Sequence, residues 1–242
     1  MNHEDVRRDI APTGTLRVAI NYGNPVLAQK DPASGEPRGV SADIARELAQ
    51  RLALPLAFVT FDAAGKVFEA LSRGAWDVAF LAIDPKRATE IDFTPPYVII
   101  EGSYMVPVES PLRAVGDVDR EGVRIAVGSG SAYDLYLTRT IAHAQIVRAP
   151  TGNEAIAMFE RDKLEAAAGV KSPLLRYAAS RPHLRVMEGR FMAIEQAMGV
   201  PKGRALALAY LRGMIEELKA SGFVAEALAR SGQSDAKVAP PA

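Results

Sequence analysis

The sequence predicts an α/β protein built as two doubly wound lobes joined by two extended hinge crossings, and three observations carry this. A strand–helix rhythm runs from Leu16 to Arg73 and restarts at Val123. An uninterrupted apolar run, Val78 to Ile83, stops abruptly at Asp84-Pro85, as does a strand covered on both faces in a parallel sheet. Two long apolar segments, 97–108 and 191–200, stand between the rhythms and suit the passage of the chain from one lobe to the other.

In order, Leu16-Arg17-Val18-Ala19-Ile20 reads as the first strand and ends in the turn formers Asn21-Tyr22-Gly23-Asn24-Pro25. After a surface turn over 29–38, Ile44, Leu48 and Leu52 recur at helical spacing, with Ser41 as the expected N-cap. Leu56 to Thr60 gives the second strand, and the helix from Ala64 to Arg73 puts Val67, Phe68 and Leu71 on one face. Strand and helix alternating in this way imply a doubly wound lobe.

The second lobe repeats the pattern with a strand at Val123–Val127 and a turn, Gly128-Ser129-Gly130-Ser131-Ala132-Tyr133-Asp134, leading into a helix. It continues through a strand at 145–148, a helix at 153–161 and a third apolar run at 164–170 that meets Lys171-Ser172-Pro173, with a further strand at 184–187. The helix from Ala205 to Ala220 carries Leu208, Leu211, Ile215 and Leu218 as one stripe, and a last short helix reaches Arg230. Residues 1–106 and 198–242 are expected to form the first lobe, with a disordered tail at 232–242, and 107–197 the second.

Composition removes several function classes. Lys plus Arg and Asp plus Glu number 29 each, which gives no global field to attract nucleic acid or an anionic membrane, so charge selectivity must be local. The chain has no cysteine, and therefore no disulfide, thiolate metal site or cysteine nucleophile. No run approaches the roughly 20 apolar residues that a spanning helix needs. The GSGSAY string lacks the Lys-Ser/Thr ending of a P-loop and the third spaced glycine of a dinucleotide turn. Ser129 and Ser131 have only His3, His143 and His183 as possible bases, none at an evident strand end. No cofactor and no metal are expected.

Ligands of open α/β sheets bind beyond the carboxyl ends of the strands. That rule nominates Asp84, Lys86 and Arg87 after the buried run, with Ala82 at the end of the run itself, and Asn21 and Tyr22 after the first strand. The Arg87 guanidinium offers a planar fork of donors that matches a carboxylate two bonds at a time. The plain alternative is a surface arginine paired with Glu90 or Asp92. In the second lobe, the free N–H groups where Gly130, Ser131, Ala132 and Tyr133 open a helix form an anion pocket reinforced by the helix dipole.

Asp77, Arg87 and the string Asp92-Phe93-Thr94-Pro95-Pro96-Tyr97 resemble the corresponding segment of the type-2 periplasmic solute-binding proteins, family 3, which includes amino-acid-binding components of ABC transporters. The resemblance extends over roughly Leu16 to Arg230 and is most specific around Arg87. It implies a periplasmic-binding-protein type 2 fold, in which Arg87 clamps a ligand carboxylate and Gly130, Ser131 and Ala132 receive it from the other side.

The chain departs from the family at two places. Leu81, Ala82 and Ile83 stand where Ser or Thr residues usually bond the ligand, and Lys171 stands where an aspartate usually holds the α-ammonium. A lysine there repels a cation and favours an anionic group. Lys171 facing solvent, or paired with Asp84, is the competing reading.

The expected function is capture of a small carboxylate-bearing metabolite, amino acid-like or organic acid, by two lobes that hinge shut, and closure presents a shape that a partner reads. The implied partner is an ABC-type permease or a sensor, with the protein a monomer that neither enters the membrane nor binds nucleic acid. The rival is a lyase on the same scaffold, resembling cyclohexadienyl dehydratases, with Asp84, Lys171 or Glu195 as general acid. The resemblance implies a periplasmic address. The opening MNHEDVRRDIAPTGTLRV, acidic and without an apolar h-region, does not read as a signal peptide and fits the cytoplasm at least as well.

Overall fold

A computed structural model describes residues 3–234 and 236–242. In chain order the elements are α1 (His3–Ile10), β1 (Leu16–Asn21), β2 (Gln29–Lys30), β3 (Pro37–Arg38), α2 (Val40–Arg51), β4 (Leu56–Phe61), α3 (Ala64–Ala70), β5 (Val78–Ala82), β6 (Ile91–Phe93) and β7 (Val98–Pro107). There follow β8 (Arg124–Gly128), α4 (Ala132–Thr140), β9 (Gln145–Ala149), α5 (Gly152–Arg161), β10 (Ala166–Val170), α6 (Lys171–Ala178), β11 (Leu184–Val186), β12 (Met192–Pro201), α7 (Ala205–Ala220), α8 (Phe223–Arg230) and β13 (Lys237–Val238). The chain divides into two compact units, Met1–Ile99 with Glu195–Ala242, and Ile100–Ile194. Strand β7 begins in the first and ends in the second, and β12 returns.

In the first unit β4, β1 and β5 are parallel neighbours, and β12 is antiparallel to β5 with Gln196 opposite Ala82. All five residues of β5 are buried, as the continuous apolar run requires of a strand flanked by others and covered on both faces. Trp76 sits in the core with its indole N–H donating to the Val67 carbonyl at 2.8 Å, so its one polar atom is satisfied. Asp77, 2% exposed, fixes β5 against β1. Its carboxylate receives the Arg17 amide at 3.0 Å and the Arg17 guanidinium at 3.0 and 2.7 Å. Its role is therefore in the fold.

Several elements of the first unit differ from the sequence reading. Helix α2 begins at Val40, after a Gly39 whose φ of 104° only glycine adopts readily, so Ser41 lies inside the helix and is not its cap. Ser41 instead shares a hydrogen bond of 3.0 Å with the buried Tyr97 hydroxyl. The opening residues form α1, whose Val6 and Ile10 are buried and whose Asp9 carboxylate caps α7 by accepting from the Ala207 amide at 2.9 Å. The tail expected to be disordered adds β13 to the edge of β7, with Val238 opposite Val98, and the Ala239 amide donates to Tyr97. Backbone pairing at an open strand edge holds it there. Asp235 lies outside the described residues.

The second unit repeats the parallel arrangement, β10 pairing β8 and β8 pairing β9, with β7 antiparallel to β10 and β11 antiparallel to β7. Alternation divides its core between the two sheet faces. Tyr104, Val106, Ile125, Val127 and Leu137 cluster on one, and Met105, Ala126, Ala167, Phe159 and Leu174 on the other. Helix α6 follows β10 without a loop, which the sequence reading missed; Pro173 is tolerated because it falls in the first turn, where no intrahelical acceptor awaits its missing N–H.

Candidate ligand-binding site

In the first unit, β1 and β5 end side by side and deliver Asn21 with Tyr22, and Ala82 with Asp84 and Arg87, to one sheet edge. Asp84 makes the turn: its side chain accepts the Lys86 amide at 2.8 Å and its carbonyl the Ala88 amide at 2.8 Å. This winds Arg87–Thr89 into a single 3₁₀ turn and aims the arginine back toward the strand end. Arg87 is only 1% exposed, so it is not the solvated surface arginine of the plain alternative. One guanidinium nitrogen donates to the Ala82 carbonyl at 3.0 Å. Burial pushes its pKa down to about 10, and the neighbouring Asp84 carboxylate works against that shift. At neutral pH the group is a desolvated cation, where an added carboxylate gains more than it would in water.

The other residues of this edge have narrower parts. Asn21 accepts the Gly23 amide at 2.9 Å and shapes the turn. A side chain at Gly23 would put its Cβ 2.4 Å from the Asp62 carbonyl oxygen, so glycine is required there for close approach. The Tyr22 amide, in the turn after β1, donates to the carbonyl of Phe61 at the end of β4 at 2.8 Å; both side chains are half-buried, and burial, then Glu36, pushes the Tyr22 phenol up.

In the second unit, β8 and β10 are parallel neighbours and their carboxyl ends carry the Gly128–Tyr133 turn and Lys171. Gly130 takes the left-handed conformation, φ 67°, and Ser131 caps α4 by accepting the Asp134 amide at 3.1 Å. The Gly130 amide donates to the Asp134 carboxylate at 2.8 Å, and the Ser131 amide to the Gly128 carbonyl at 3.2 Å. The turn expected to present its amides to a ligand thus has two of them bonded within the unit. Asp134, 4% exposed, also receives Arg148 at 2.9 Å, and Arg148 reaches the Thr138 hydroxyl at 2.7 Å. Tyr133 is half-buried, and burial raises its phenol pKa.

Lys171 opens α6, where the positive end of the helix dipole disfavours a cation, and its ammonium leans on Glu101 of β7 at 3.4 Å. Glu101 also receives Arg190 at 3.1 Å. The lysine's partner therefore lies in its own unit, and the expected alternatives, open solvent or Asp84, do not describe it. Sequence reasoning passed over Glu101, Asp134, Arg148 and Arg190. Two signals were available: the lone carboxylate inside the apolar VIIEGSYMVPV crossing, and the Ser131-x-x-Asp134 spacing of a capping box. Among the described residues no group of three or more histidine, aspartate or glutamate side chains could hold a metal ion, and no helix is long and apolar enough to cross a membrane.

Comparison with known proteins bears on the whole chain. The glutamine-binding protein of Geobacillus stearothermophilus is 22% identical over 200 residues, 80% of this chain and 75% of the relative. Among solved structures, a mutant of ArgBP from T. maritima superposes with a TM-score of 0.79 at 21% identity, covering 94% of this chain and 99% of that one. A solute receptor for L-cysteine from Neisseria gonorrhoeae gives 0.79 at 23%, covering 92% and 91%. An ancestral amino-acid-binding protein described as a precursor of cyclohexadienyl dehydratase gives 0.75 at 22%, covering 92% and 97%. These likenesses establish the type-2 periplasmic-binding-protein fold. The model of the bacterial extracellular solute-binding proteins, family 3, matches residues 16–233, and the chain belongs to that family.

Proposed function

We propose that this solute-binding protein captures a small carboxylate-bearing metabolite, with Arg87 beside Tyr22 as the carboxylate-binding residue of the first unit, and with the Gly130–Tyr133 turn and Lys171 as the candidate residues of the second. It would hand the ligand to an ABC-type permease or report it to a sensor, acting as a monomer on the extracytoplasmic side that the family's description names. The observation that carries the reading is the Arg87 guanidinium, 1% exposed yet cationic, positioned by a purpose-shaped turn at a carboxyl strand end. A buried cation with this placement serves a ligand better than it serves stability, since hydrophobic residues stabilise such positions at least as well. A thermal-shift screen of carboxylates tests it: at least one must raise the melting midpoint, because binding to the folded state alone stabilises it.

The dehydratase alternative draws support from the ancestral neighbour alone. Of the three candidate acids, Asp84 is engaged with the Lys86 amide and stands beside Arg87, and Lys171 is engaged with Glu101, which favours binding over proton transfer at both; Glu195 is exposed beside Ile83. Incubation with prephenate or arogenate should give no aromatic product, and turnover would replace the binding reading.

A further inference from the structure

We propose that residues 236–242 are a clamp on the outgoing crossing: they hold the root of β7 fixed as far as Ile99, so that bending of that crossing falls on Ile100 and Glu101. This goes beyond the binding reading and stands independently of any ligand. Prolines set the register. Lys237, Val238 and Ala239 carry backbone N–H groups, whereas Pro240 and Pro241 carry none, so pairing must stop there; Pro95 and Pro96 bound the facing stretch in the same way. Between those two proline pairs, Lys237 lies opposite Ile99 and Val238 opposite Val98, and the Ala239 amide donates to the Tyr97 carbonyl at 3.0 Å. Strand β13 lies past the stretch matched to the family model, 16–233, so the match assigns it no part.

A buried lysine staples the clamp to that root. Lys219 of α7, its side chain 4% exposed, donates to the carbonyls of Pro96 at 3.1 Å and Pro240 at 2.8 Å and pairs with Glu216 at 2.6 Å, one acceptor for each of its three hydrogens. Glu216 also accepts the Ala242 amide at 3.3 Å. An apolar side chain would stabilise such a position at least as well, so what the ammonium adds is the joining of two backbone segments.

The two crossings are thereby fixed to matching depths. The return crossing, β12, is held from Glu195 onward by β5: the Ile83 amide donates to the Glu195 carbonyl at 2.9 Å, and Gln196 lies opposite Ala82. Tyr97 links the two roots, its amide donating to the Gln196 carbonyl at 2.8 Å and its carbonyl accepting from the clamp. Further along β7, pairing with β10 begins at Gly102, which leaves Ile100 and Glu101 between the ladder of β13 and that of β10. The border of the compact units falls at the same place, Ile99 closing the first segment of one unit and Ile100 opening the other, with Glu195 the first residue of the return. Loss of the clamp frees Val98 and Ile99 from β13 and lets bending spread back to Tyr97, whereas with it a few residues take up the whole dihedral change, as a hinge requires.

Hydrogen exchange on full-length Ala239→Pro tests this, since the substitution removes the amide that the clamp gives to Tyr97. Exchange across 97–101 should rise about tenfold, with β5 within about twofold of the parent. Lys219→Met, which keeps the apolar stem and removes the staple, should give a smaller rise at the same amides. The absence of cysteine from the chain allows two further measurements. A Val98→Cys/Val238→Cys pair, opposite in register, should cross-link on oxidation and lower exchange across 97–101, with reductant restoring it. Spin labels on Glu69→Cys in α3 and Ala157→Cys in α5, exposed positions of the first and second units, should report a spread of distances about 1.5-fold wider in Ala239→Pro than in the parent. Unchanged exchange across 97–101, a rise shared equally by β5, or an unchanged spread of distances overturns the proposal, the second because the tail then supports the whole unit and no hinge.

Discussion

Replacing Asp134 by alanine tests whether the Gly130–Tyr133 turn is held by the chain itself. The carboxylate accepts the Gly130 amide at 2.8 Å and the Arg148 guanidinium at 2.9 Å from a position 4% exposed. A hydrogen bond to a charged group contributes about 1.5–3 kcal/mol, and loss of the Gly130 bond should cost about 1.5–2 kcal/mol, the low end of that range, because the amide is only partly buried. The Arg148 side chain is 42% exposed and regains water, which limits its share to about 0.5–1 kcal/mol. The sum, about 2–3 kcal/mol, lowers the melting midpoint by about 5–10 °C for a chain of this size. Circular dichroism melts of Asp134→Ala and Asp134→Asn supply the measurement. Asparagine keeps an oxygen for the Gly130 amide and should lose about half as much. A midpoint within about 1 °C of the parent for alanine, or an asparagine variant as unstable as alanine, would refute the assignment.

Other consequences follow from the same contacts. Tyr97 and Tyr104 are buried and burial pushes both phenols well above their ordinary 10, so each contributes stability that is complete below pH 10 and is lost as the pH rises further, when the unfolded chain ionises and the folded one resists. Urea midpoints should therefore fall above pH 10, and Tyr97→Phe should flatten that fall at a cost of about 1 kcal/mol for the lost Ser41 bond; a slope unchanged by the substitution would contradict the burial assignment. Gly23→Ala places a Cβ 2.4 Å from the Asp62 carbonyl oxygen and should destabilise by about 1–3 kcal/mol, read as a lower urea midpoint, because backbone must move to accommodate it.

The parts of the fold legible in the sequence are those whose cause is local. Val78–Ala82 was visible because a strand buried on both faces must be apolar throughout, and the turn into α4 because its glycines separate an apolar strand from a helix. Helix α1 and strand β13 were not visible because tertiary partners hold them, α7 through Asp9 and the β7 edge through Val238. Ser41 misled for a related reason: a serine near a helix start reads as a cap, whereas the start was set two residues earlier by Gly39. At the candidate site, Arg87 followed from strand position. Its burial and the Lys171–Glu101 and Asp134–Arg148 pairings did not, since they join residues distant in the chain or on neighbouring elements.

The most direct measurement is titration of Arg87→Ala and Arg87→Lys with the tightest carboxylate found for the parent chain. Removing a desolvated two-bond contact to a carboxylate costs about 2–5 kcal/mol, so alanine should bind at least about 30-fold more weakly, with an unchanged far-ultraviolet spectrum. Lysine, which keeps the charge and loses the planar fork, should fall in between. Affinity within about threefold of the parent for folded Arg87→Ala would contradict the account, because the buried guanidinium would then serve the first unit and no ligand.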